Sequence, residues 1–95
     1  MSEQTAVITI TEQVRQLVVE VALAKGLTEI ADDESLLKNG ALDSLSMYRL
    51  IELVESAFPV KIADDEMVPD NFESINRLGH FVSTKLEKSP VTNLR

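Results

Sequence analysis

The sequence predicts an all-α protein: a small helical bundle of three main helices, one or two short helices and a long first loop. Three observations carry this expectation. Apolar residues recur at spacings of three and four in three separate segments. Gly and Pro number three each, too few for a turn-rich β sandwich. The apolar residues, 44% of the chain, are nearly all aliphatic, because Trp is absent and only three Phe and one Tyr occur. The 95 residues are read as one domain, residues 1–95. Its ordered core is expected over about residues 9–87, between mobile termini. A chain of this length buries roughly 60–65% of its unfolded surface, which suffices for one core.

Residues 1–8 read as a mobile lead-in. Thr9 stands three residues before Glu12, the spacing of a capping box. Ile10, Val14, Leu17, Val18 and Val21 follow at helical spacing. Gly26 lies just past Lys25, where a left-handed residue closes a helix, so the first helix is expected over residues 10–25. Its valines are weak helix formers, so packing must hold it. Residues 27–42 show no sustained period. A connection of that length needs anchors, and Leu36 and Ile30 are the candidates. Gly40 permits a sharp bend.

Asp43-Ser44 opens the second helix, in which Met47, Leu50, Ile51, Val54 and Phe58 form one apolar stripe. Pro59 ends it. Val60-Lys61-Ile62 reads as a short extended piece. Residues 64–68 fit one turn closed by Pro69. Asp70 and Glu73 fit a second capping box, which predicts a stub of helix around Asn71 and Phe72. Ser74 can cap the last helix, whose inner face is Ile75, Leu78, Val82 and Leu86. Lys85 and Lys88 sit near its C-terminal end, where cations suit the dipole. Ser89-Pro90 begins a loose tail.

Composition excludes several classes. The chain has no Cys, so it has no disulfide frame and no thiolate metal site. The acidic start, Met1-Ser2-Glu3-Gln4, lacks the basic and apolar regions of a signal peptide. No apolar run approaches the length of a membrane span. A net charge of −7 argues against nucleic acid and anionic lipid as partners. The expectation is a monomeric, acidic, cytoplasmic domain. Residues 29–73 hold 12 acids and three bases, a local charge of −9, which steers basic partners. Neither acidic cluster has the ligand spacing of a calcium loop, so no metal site is expected.

The sole histidine, His80, lies off the apolar stripe of the last helix and reads as a surface residue. A hydrolase would have to pair it with Ser44, and nothing in the sequence does so; no catalytic residue is assigned. Ser44 is different. It stands at a helix start, where free N–H groups and the positive end of the dipole favour a phosphate. The plainer alternative is that Asp43 or Ser44 only caps the helix.

Leu42-Asp43-Ser44-Leu45 resembles the phosphopantetheine attachment motif of acyl, aminoacyl and peptidyl carrier proteins. It falls where that family places it, after the long first loop and at the head of the second helix. The 32–37 segment Asp-Asp-Glu-Ser-Leu-Leu looks like the family's anchored loop. Leu50, Ile51, Val54 and Phe58 match its second-helix core. The 69–75 segment Pro-Asp-Asn-Phe-Glu-Ser-Ile is similar to a Pro-x-Asn-Phe-x-Ser-Ile stretch of many free-standing carriers. The likeness covers about residues 9–86.

This resemblance implies a carrier-protein-like bundle and a non-catalytic function. Ser44 would receive 4′-phosphopantetheine from coenzyme A through a phosphopantetheinyl transferase, and acyl or aminoacyl groups would ride as thioesters on the arm. Asp43 would sit beside the metal and coenzyme A during that transfer. Leu45, Tyr48, Arg49 and Glu52 would meet partner enzymes. Those partners would be an acyl- or aminoacyl-activating ligase or adenylation enzyme and a downstream transferase or synthase. Ala41 stands where many carriers have glycine, and Gly40 comes one place earlier. Arg49 and Glu52 replace the acid and the apolar residue more usual in fatty-acid carriers. These departures favour a dedicated biosynthetic pathway. The alternative from a different class is an acidic helical adaptor with no prosthetic group, in which Ser44 is structural.

Overall fold

The computed structural model describes residues 3–87, with side chains from residue 10 onward. Three α-helices, α1 (Glu3–Leu23), α2 (Ser44–Ala57) and α3 (Ile75–Glu87), alternate with a long first loop and two 3₁₀ turns, η1 (Asp64–Glu66) and η2 (Pro69–Phe72). The described residues contain no strand. The expected fold class is the one observed.

Helix α1 is longer than the sequence predicted. It is already helical at Glu3, so residues 3–8 are not a lead-in, and Thr9 lies inside the helix, not at a cap. The physical reason is local. Residues 3–9 contain neither Gly nor Pro, and Glu3, Gln4 and Ala6 are good helix formers, so nothing stops the helix from propagating. Met1 and Ser2 lie outside the described residues, as does the tail from residue 88 that includes Lys88, Ser89 and Pro90. The other end of α1 behaves as expected. Gly26 has φ +82°, its N–H donates to the Leu23 carbonyl at 3.0 Å, and the Leu27 N–H reaches back to the Ala22 carbonyl at 3.1 Å. That bond pair is a Schellman motif and satisfies two of the last carbonyls.

The core lies where α1 packs against both α2 and α3. Val14, Val18, Leu50, Val54, Ile75, Leu78 and Val82 are fully enclosed, so each predicted stripe points inward. Leu36 is the anchor of the long loop as expected, also fully enclosed, with its N–H donating to the Glu73 carbonyl at 2.8 Å. Ile30 is half-buried against the core. The loop is pinned by polar contacts as well. The Glu34 carboxylate accepts from the Asn39 amide at 2.9 Å and the Ala31 N–H at 3.0 Å, Asp32 pairs with Arg15, and the Asp32 carbonyl accepts the Asn76 N–H at 3.0 Å. The 20 residues between α1 and α2 are thereby held to α1 and to the start of α3.

Past Pro59, Val60 and Ile62 bury their side chains, and the Ile62 N–H donates to the Glu55 carboxylate at 2.8 Å. Asp70 does not cap η2 as the spacing implied. Val68 occupies the cap position without a side-chain bond, and Pro69 starts the turn, where its missing N–H costs nothing. Phe72 then enters the core beside Phe81, ring centroids 6.0 Å apart. Ser74 does cap α3: its hydroxyl accepts the Arg77 N–H at 3.1 Å.

Candidate functional site

Gly40 takes φ +85°, a left-handed conformation that costs glycine little. The chain then turns inward. Ala41 and Leu42 are buried, the Ala41 N–H donates to the Asn39 side-chain oxygen at 2.8 Å, and the Leu42 N–H donates to the Leu36 carbonyl at 3.0 Å. Because the left-handed residue here is Gly40, position 41 has no need of glycine and its methyl fills core space. With two residues tucked in, the next three, Asp43, Ser44 and Leu45, face outward.

Asp43 is the N-cap of α2. Its Oδ1 accepts the Ser46 N–H at 2.9 Å, and its carbonyl accepts the Met47 N–H at 2.8 Å. Its Oδ2 pairs with the Lys25 ammonium, which reaches over from the closing turn of α1. The Lys25 bond above all, with the Ser46 bonds adding, holds the Asp43 carboxyl well below its ordinary range. Ser44 is the first residue of α2 and is exposed. The capping duty therefore belongs to Asp43 and leaves the Ser44 hydroxyl free of it.

Ser44 borders a surface groove of about 340 Å³ whose walls include Leu37, Leu42, Met47, Tyr48 and Met67. A second groove of about 360 Å³ lies between α1 and α2, lined by Val21, Ala24, Lys25, Leu45 and Arg49 among others. Among the described residues, neither is lined by histidine. His80 is exposed on α3. Leu45 and Tyr48 are 79% and 60% exposed, and Arg49 and Glu52 are exposed too. Spacings of three, four and seven place these four on one face of α2, opposite the Leu50 and Val54 stripe. Arg49 makes a 3.7 Å contact to Glu20 between exposed side chains.

Sequence reasoning missed Lys25. Its only visible signal was its place before Gly26, which reads as a helix end; the 18-residue separation hides the pairing with Asp43. The two grooves were also not foreseen.

The site suits a covalently attached phosphodiester. It offers an exposed hydroxyl on the first residue of a helix, a neighbouring cation, and apolar walls along which a tethered chain can lie. Comparison with known proteins gives the family: the model described as phosphopantetheine attachment site matches residues 12–82, and the chain belongs to that family. Its cofactor is covalently bound 4′-phosphopantetheine. No curated protein and no solved structure gives a significant match.

Proposed function

We propose that Ser44 is the attachment point, and that the protein is a non-catalytic carrier shuttling acyl or aminoacyl groups as thioesters between the enzymes of a dedicated biosynthetic pathway. The observation that carries the reading is the exposed Ser44 hydroxyl at the head of α2, with Asp43 taking the cap beside it. The prosthetic arm supplies the thiol that this cysteine-free chain lacks. The chain's own residues hold the linkage at a fixed helix end and leave the tether free to sweep, which raises the effective concentration of cargo at each partner.

The phosphopantetheinyl transferase meets this site first, then an activating ligase or adenylation enzyme, then a downstream transferase or synthase. Leu45, Tyr48, Arg49 and Glu52 are offered to these partners on the outward face of α2. Exposed aromatic and apolar side chains beside the linkage are the kind that anchor interfaces. Asp43 serves as the cap and faces the incoming coenzyme A. The family match favours this reading over an adaptor without a prosthetic group. The test is an intact mass after incubation with a promiscuous transferase and coenzyme A. A phosphopantetheine adduct is expected on the unaltered chain and none on Ser44→Ala; an adduct that persists in Ser44→Ala overturns the assignment.

A further inference from the structure

Lys25 has no part in the core. It sits between Ala24 and Gly26 in the Schellman turn, so its backbone is fixed while 29% of its side chain stays exposed. Among the described residues, its ion pair with Asp43 is the only one made to residues 41–47. Lys25 also lines the α1–α2 groove together with Leu45 and Ser46. It thus touches the residue before Ser44 and shares a groove with the two that follow. Attachment of a phosphodiester to Ser44 places a new negative charge next to the Asp43 carboxylate. A lysine ammonium is a mobile point charge with three donors and can serve two acceptors at once.

We propose that Lys25 is the counter-ion of the phosphodiester: with the arm attached, its ammonium is shared between the Asp43 carboxylate and a phosphodiester oxygen. The end of α1 thereby takes part in holding the linkage on α2. This rests on Ser44 being the attachment point. Arg49, the other cation of that groove, lies in the following turn of α2 and contacts Glu20.

The test compares thermal unfolding of apo and phosphopantetheinylated forms for the unaltered chain, Lys25→Met, Lys25→Gln and Lys25→Arg. At low salt, attachment should lower the Tm of the two neutral variants by about 1–5 °C more than that of the unaltered chain, the range set by one exposed ion pair in a domain of this size. Lys25→Arg should behave like the unaltered chain, and the difference should shrink near 1 M salt. An equal change on attachment in all four proteins overturns the proposal. If the neutral variants refuse the arm and Lys25→Arg accepts it, the charge requirement is supported; refusal by Lys25→Arg as well counts against it. The mass adduct separates this from the reading beneath it. No adduct on the unaltered chain, or one elsewhere than Ser44, overturns both, whereas an adduct on Ser44 with no dependence on Lys25 overturns the Lys25 proposal alone.

Discussion

Both oxygens of the Asp43 carboxylate are engaged within the chain, one by the Ser46 N–H and one by Lys25. Glu34 is held low in the same manner, by the Asn39 amide first and the Ala31 N–H second. Both groups titrate lower in the folded chain than in the unfolded one. Their contribution to stability is therefore present above the unfolded carboxylate values near pH 4, and is lost as the pH falls through the lower folded values. Acid unfolding followed by circular dichroism should show stability falling below about pH 4. Asp43→Asn should be less stable at neutral pH and should lose less on acidification. Ser44→Ala should behave differently from a cap mutation. A helix cap lost to alanine costs about 0.5–2 kcal/mol, but the cap is Asp43, so Ser44→Ala should stay within about 0.5 kcal/mol of the unaltered chain in denaturant titration.

At the scale of elements, the three helices depend on one another more than on their own propensities. Gly79 on α3 lies so close to α1 that an added Cβ would meet Thr11 Oγ1 at 2.8 Å and Thr11 Cα at 3.4 Å. Gly79→Val should force the helices apart and destabilise by about 1–3 kcal/mol, read from the denaturant midpoint. Ser83, on the same helix, has a buried hydroxyl with no partner among the described residues. Ser83→Ala should be neutral or raise stability by up to about 1 kcal/mol, since it removes an unpaired polar group from the interior. The long first loop is an element of the same standing. Leu36 is its fully enclosed peg, and Leu36→Ala should cost about 2–5 kcal/mol. Much of this was legible. The stripes of α2 and α3, the Gly26 stop, the Leu36 anchor and the Ser74 cap all follow from local pattern. The start of α1 and the Asp70 cap did not, because spacings that fit a capping box also occur inside an uninterrupted helix or behind a proline.

For the molecule as a whole, charge is the dominant surface feature. Residues 29–73 carry 12 acids against three bases. Several acids are neutralised within the chain: Asp32 by Arg15, Asp43 by Lys25, Glu66 by Lys85 at 2.8 Å. The remaining excess should speed encounter with any partner that presents a basic patch. Association of the carrier with its transferase should slow as ionic strength rises, seen as a falling on-rate in stopped-flow while the off-rate changes less.

The amino-acid order alone settled which residues face inward, where two of the helices begin, and which serine stands at the head of the second helix, because periodicity, caps and punctuation act over a few neighbouring residues. Tertiary structure alone decided that Lys25 meets Asp43, that Gly79 brings α3 against α1, and that two grooves flank the Ser44 segment. Those facts join residues far apart in the chain, and only the packing of three apolar faces into one core brings them within reach of each other.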